Sequence, residues 1–200
     1  MPRTANTRER ILTAAAKVLS VKGYSGTRLT DIADVAMLRA PAVYHYFASR
    51  EELVAEVMAV GQQRLREYVT TVLDTLPPDT TPMDRICAAV EAHLLVTLGL
   101  SDFATAATRN SGQLPEELRS RQQVAGRQYL SIWQELLYQA HEAGEIRADL
   151  DLRAARMLVI GALNWTPEWW DSQRGSLDVV VRTAQGLVRN GLSPDGHHKA

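Results

Sequence analysis

Between Arg39 and Tyr46 the chain places a cation, small residues and ring-borne hydrogen-bonding groups within a short span: Arg39, Ala40, Pro41, Ala42, Tyr44, His45 and Tyr46. A guanidinium pairs well with phosphate, tyrosine and histidine can reach base edges, and alanine lets a backbone approach closely. Contact with duplex DNA is the chemistry such a face suits. With Arg28 and Thr30 ahead of it and Arg50 behind, it makes the candidate DNA-contacting set. Taken singly, a Tyr or His in a helical protein is more often a core residue; here an ordered series of helix signals surrounds them.

Those signals occupy Thr27 to Leu53. Thr30 is a good N-cap, and Asp31 puts a negative charge at the positive end of a helix. Ile32, Ala33, Val35 and Ala36 give that helix a small apolar face, which favours close crossing by a second helix. After a turn at Met37 and Leu38, Pro41 suits the first position of a new helix, expected to run to Tyr46. Two turns cannot stand alone in water, so Val43 and Phe47, four apart, should anchor it. Ser49 with Glu51 and Glu52 then reads as the capping box of a long fourth helix. The layout is a helix-turn-helix.

On these residues, positions 7 to 53 resemble the N-terminal domain of the TetR family of one-component transcriptional repressors. The carrying residues are Ile11, Ala14, Ala15 and Leu19; Gly23, Tyr24, Thr27 and Thr30; Ile32 and Ala33; Val43, Tyr44, Tyr46 and Phe47; and Ser49, Glu52 and Leu53. Two departures stand out, Met37 where the family usually has Gly and Arg50 where it usually has Lys. Arg50 keeps the charge. Met37 would carry strain if its φ is positive.

Charge distribution agrees with a nucleic-acid partner. Net charge is only −1, but residues 1–50 hold eight Lys/Arg against three Asp/Glu, a net +5, while the remainder holds fourteen against twenty, a net −6. A basic head on an acidic body orients the molecule toward phosphate. With 46% hydrophobic and 22% charged residues the chain is an ordinary globular one, large enough for one or two domains. It has no apolar run of membrane-spanning length and no signal-peptide core at its start, so a cytoplasmic location without membrane association is expected. Cys87 is the sole cysteine, which excludes an internal disulfide and cysteine-rich metal sites; no metal or other cofactor is expected.

Helical periodicity dominates, and the fold class is all-α with about nine helices. The first is expected from Thr7 to Lys22, stopped by Gly23. The fourth should run from Arg50 to Leu76, and later ones over Met83–Leu100, Asp102–Thr108, Leu114–Ala143, Asp151–Asn164 and Ser176–Asn190, with Gly144 and Gly191 as C-terminal stops. Residues 1–50 are expected to form the helix-turn-helix domain and 51–200 the ligand-binding and dimerisation body. His197 and His198, near the end, are assigned no role.

The body offers rings with a few polar groups: His93, Phe103, Arg109, Asn110, Arg121, Gln122, Tyr129, Trp133, Asn164, Trp165 and Trp169. Such a set suits a small-molecule pocket; each ring taken alone is more simply core packing. The run Gly161 to Trp165, followed by Trp169, Trp170 and Gly175, is similar to a stretch of the fatty-acid and acyl-CoA responsive branch of the TetR family. The resemblance implies a CoA thioester or related effector. Arg109, Arg119, Arg121 and Arg127 could meet its phosphates, although a solvated helix face explains them equally well.

In the last two helices, Ala155, Val159 and Ala162 with Leu177, Val181, Ala184 and Val188 form apolar stripes expected at a homodimer contact. Dimerisation would set two recognition helices about 34 Å, or a multiple, apart on one face of DNA. The reading is a repressor that binds a palindromic operator as a dimer and releases it when a small, largely apolar effector enters the body. The alternatives are a helical enzyme or ligand-binding protein without DNA binding, or an activator of the same fold. No HExxH, Gly-rich phosphate loop or Ser/His/Asp pattern supports the enzyme.

Overall fold

A computed structural model describes the backbone of residues 2–110, 115–173 and 175–194, and their side chains except those of 2–6 and 117–125. Among the described residues there are nine α-helices and no strand: α1 Pro2–Gly26, α2 Leu29–Val35, α3 Ala40–Tyr44, α4 Arg50–Asp74, α5 Pro82–Leu95, α6 Asp102–Asn110, α7 Glu116–Glu142, α8 Leu152–Trp169 and α9 Leu177–Leu192. A π-helical turn, Val96–Leu100, continues α5. No single described helix is long and apolar enough to cross a membrane.

Several expected boundaries shift. Gly23 does break α1, at φ 69°, but one more turn follows to Gly26. Thr30 is not the N-cap of α2. Arg28 holds that position, and its backbone N–H donates to the Asp31 carboxylate at 3.3 Å, so the acid one turn in does the capping. Helix α3 starts one residue earlier than expected and ends at Tyr44, leaving His45 and Tyr46 in the turn that follows. Ser49 does cap α4, accepting from the Glu52 N–H at 3.0 Å, whereas Glu52 reaches back to the Ala48 N–H at 2.7 Å.

In the second half, Gly144 at φ 72° closes α7, with the Glu145 N–H bonded to the Ala140 carbonyl. The expected end of α8 at Asn164 is wrong: the helix continues through Pro167 to Trp169. Pro167 has no N–H for the Leu163 carbonyl and its ring crowds that oxygen, but less than one turn of helix follows it. Gly191 is likewise not a cap, since α9 runs to Leu192.

The contacts divide the chain into two compact units, Met1–Arg64 with Leu100–Gly126, and Leu65–Gly99 with Arg127–Ala200. The first unit is built on Ile11, Ala15, Leu19, Ile32, Val43, Phe47, Leu53, Val57 and Met58, and Phe103, Ala106 and Ala107 of α6 join the same core. Helix α4 meets α6 at Gly61, where any Cβ would overlap the Phe103 carbonyl oxygen. In the second unit α5 packs against α8 and α9, and Val90, Leu94, Trp133, Leu137 and Ile160 are among the buried residues.

Candidate functional site

Val43 and Phe47, both 1% exposed, fasten α3 to the first unit as expected. The outer side of α3 then presents Pro41, Tyr44 and His45 to solvent, with Ala40, Ala42 and Tyr46 half-buried. Tyr44 is 57% exposed. His45 and Tyr46 meet edge to face, their ring centroids 5.3 Å apart. Arg28, Thr30 and Arg39 are also exposed, so this part of the candidate DNA-contacting set is accessible to solvent.

Arg50 differs. Its Nε donates to the Thr27 carbonyl at 2.9 Å, a terminal nitrogen bonds the Tyr24 carbonyl, another pairs with Glu51 at 3.2 Å, and its guanidinium lies 4.3 Å from the centre of the Tyr24 ring. It thus joins the start of α4 to the end of α1.

Other basic groups of the head also hold its helices together. Arg8 makes a two-pronged bond to Glu56 at 2.5 and 2.6 Å and covers the Phe47 ring at 4.9 Å. Lys22 pairs with Asp31 at 3.0 Å and holds that carboxylate below its ordinary pKa. Arg10 donates to the Ala36 carbonyl at 2.7 Å, at the C-terminal end of α2. The next residue, Met37, has φ 53°, so the condition for strain at a non-glycine residue in this turn is met. Sequence reasoning gave Arg8 and Arg10 no role beyond charge, because their partners lie in other helices.

The described ring and polar residues of the body divide between the two units. Phe103 belongs to the core of the first unit, with Arg64 stacked 4.2 Å from its centre. Arg109 donates to the Ser20 and Val21 carbonyls; the Asn110 amide donates to the Leu19 carbonyl and its oxygen accepts from the Tyr24 N–H at 2.6 Å. These groups satisfy the C-terminal end of α1. Arg119, Arg121 and Gln122 lie outside the described side chains.

His93, Tyr129 and Trp133 do come together, in the second unit. His93 Nδ1 is 2.8 Å from the Tyr129 hydroxyl, and the Tyr129 and Trp133 rings meet edge to face. All three are buried. Burial drives the His93 pKa down to about 3 and raises that of Tyr129, so both are neutral at physiological pH.

Helices α8 and α9 expose an apolar face. Between them runs a groove of about 330 Å³ lined by Val159, Ala162, Leu163, Trp169, Leu187 and Val188, among others. Leu158 is 75% exposed, Leu187 71% and Trp165 64%. Trp165 and Trp169, expected at a ligand, thus stand in solvent on the chain taken alone, while Asn164 is half-buried. Of the expected interface residues, Ala155 and Val181 are buried within the chain, Ala162 is exposed, and Val159, Leu177, Ala184 and Val188 are half-buried.

Residues 11–57 match the model of the bacterial regulatory proteins of the tetR family, and residues 79–191 match that of the tetracyclin repressor-like C-terminal domain. The HTH-type transcriptional repressor KstR2 of Mycolicibacterium smegmatis is 29% identical over 203 residues, covering 94% of this chain and 92% of its own. The fatty acid metabolism regulator protein of Bacillus subtilis is 22% identical over 171 residues, 86% of this chain and 87% of its own. The solved structure of AibR in complex with isovaleryl coenzyme A and operator DNA superposes with a TM-score of 0.79 at 24% identity, over 94% of this chain and 98% of that one. With a matched head and a matched body, the chain belongs to the TetR family of bacterial regulatory proteins.

Proposed function

We propose that this protein is a homodimeric transcriptional repressor that binds a palindromic operator through α3 and releases it when an acyl-CoA or related lipid-derived effector occupies the body. The observation that carries the DNA-binding part is the exposed outer side of α3, with Tyr44 on the helix and Arg39 and His45 flanking its two ends, the whole anchored from beneath by Val43 and Phe47. A helix so held presents its polar side to a major groove without losing order on binding. Regulators similar over nearly the whole chain include a fatty acid metabolism regulator and a protein solved with a CoA thioester and operator DNA; these support the effector class.

The DNA-contacting set is Arg28, Thr30, Arg39, Ala40, Pro41, Ala42, Tyr44, His45 and Tyr46; Arg50 positions the helices that carry it. The dimer contact is the apolar face of α8 and α9, including Trp165 and Trp169 as well as Val159, Ala162, Leu177, Ala184 and Val188. The test is fluorescence anisotropy with DNA from upstream of the protein's own gene. Tyr44→Ala, far from the core, should fold and dimerise as wild type and lose operator binding by more than tenfold; unchanged affinity would overturn the assignment of α3 as the reading helix.

A further inference from the structure

His93 is fully buried on α5, and Thr97, one turn on in the π-helical segment, is also 0% exposed. Tyr129 and Trp133, four apart on one side of α7, complete the group. The imidazole uses Nδ1 with the Tyr129 hydroxyl, while its Nε2 has no hydrogen-bond partner. A core needing only packing would be served by Leu or Phe here without that orphaned atom, whose burial is unfavourable. The local backbone is also unusual: α5 changes to π-helical pairing directly after this turn, a distortion often found at functional sites.

The direction of the hydrogen bond follows from acid strength. Phenol is a better acid than imidazole N–H, and the imidazole nitrogen is a better base than phenol oxygen, so the Tyr129 O–H donates to Nδ1. The remaining proton then sits on Nε2, which makes that atom a donor. We propose that His93 is the polar recognition group of the effector site, its Nε2–H donating to a neutral carbonyl of an otherwise apolar ligand such as an acyl thioester. This rests on the effector-responsive reading above and adds to it the group that is recognised. A carboxylate is a poor occupant, because beside neutral His93 and Tyr129 it would be desolvated without a counter-charge. A thioester carbonyl loses little on leaving water and gains the bond that Nε2 lacks.

The experiment uses the full-length protein on its operator, with isovaleryl-CoA and palmitoyl-CoA as probes and palmitate as the carboxylate control. Histidine-labelled protein is followed by 15N NMR, and operator release by anisotropy. The thioesters should shift the His93 Nε2–H resonance and palmitate should not. Because His93→Leu alone would strand the Tyr129 hydroxyl, the paired variant H93L/Y129F removes both ends of the bond. It should bind operator within about twofold of wild type, as both partners are replaced by apolar groups of related size, and need at least tenfold more thioester for release. Release by the variant at the wild-type concentration overturns the proposal, as does a His93 resonance unmoved by both thioesters. Failure of the wild-type protein to bind the DNA would instead count against the repressor reading itself.

Discussion

Arg10 and Met37 share one turn. A non-glycine residue at φ 53° costs about 1 kcal/mol, and the Arg10 guanidinium, bonded to the carbonyl just before it, stabilises the chain where it turns from α2 toward α3. In the function proposed above, Arg10 acts through the placing of α3 and not through a phosphate of its own. Arg10→Ala should weaken operator binding three- to tenfold while leaving the slope of log affinity against log salt unchanged. A direct phosphate contact would instead lower that slope by about 0.9. His93 gives the second prediction at this scale. Its pKa is about 3 in the fold and about 6.5 unfolded, so below pH 6.5 the unfolded chain binds the extra proton and stability falls with falling pH. Urea unfolding should show a loss of roughly 1 kcal/mol per pH unit between pH 6 and 4 from this group, absent in H93L/Y129F.

Among the elements, α3 is legible from sequence because everything that defines it is local: Pro41 near its start, Ser49 capping the next helix, Val43 and Phe47 at helical spacing. The cap of α2 was misplaced since Thr30 and Asp31 are both competent, and the chain uses the carboxylate one turn inside. Helix α6 was expected over Asp102–Thr108 and forms over Asp102–Asn110, but its packing partners could not be read from sequence. Its Asn110 meets Tyr24 across 86 residues, and the close crossing with α4 depends on Gly61, whose role no periodicity reveals. Gly61→Ala should lower the thermal midpoint of the first unit by several degrees, an overpacking cost of about 1 to 3 kcal/mol. A midpoint equal to wild type by calorimetry would mean that α4 and α6 separate without cost.

For the whole molecule, the exposed α8 and α9 face is the feature that a single chain leaves unexplained. Leu158, Trp165, Trp169 and Leu187 in solvent form an apolar patch of the kind that marks an interface between proteins. Large aromatic side chains carry a disproportionate share of such contacts. Trp165→Ala should therefore raise the dimer dissociation constant by about thirtyfold, for a loss of about 2 kcal/mol, as read by sedimentation equilibrium. Operator affinity should fall with it at low protein concentration, because one reading helix then binds alone. A dimer of undiminished strength would place the contact elsewhere.

By itself the sequence determined the all-α class, the helix-turn-helix and its family, and the apolar stripes of the last two helices, because caps, glycine stops and helical spacing act over a few residues. Only the tertiary structure decided which ring and polar residues meet. It sent Phe103, Arg109 and Asn110 to α1 and α4 in the first unit, and joined His93 to Tyr129 across 36 residues in the second. It also left Trp165 exposed rather than enclosed. Those outcomes depend on which helix faces oppose one another, and that is fixed by packing between distant segments, which leaves no periodic trace in either of them.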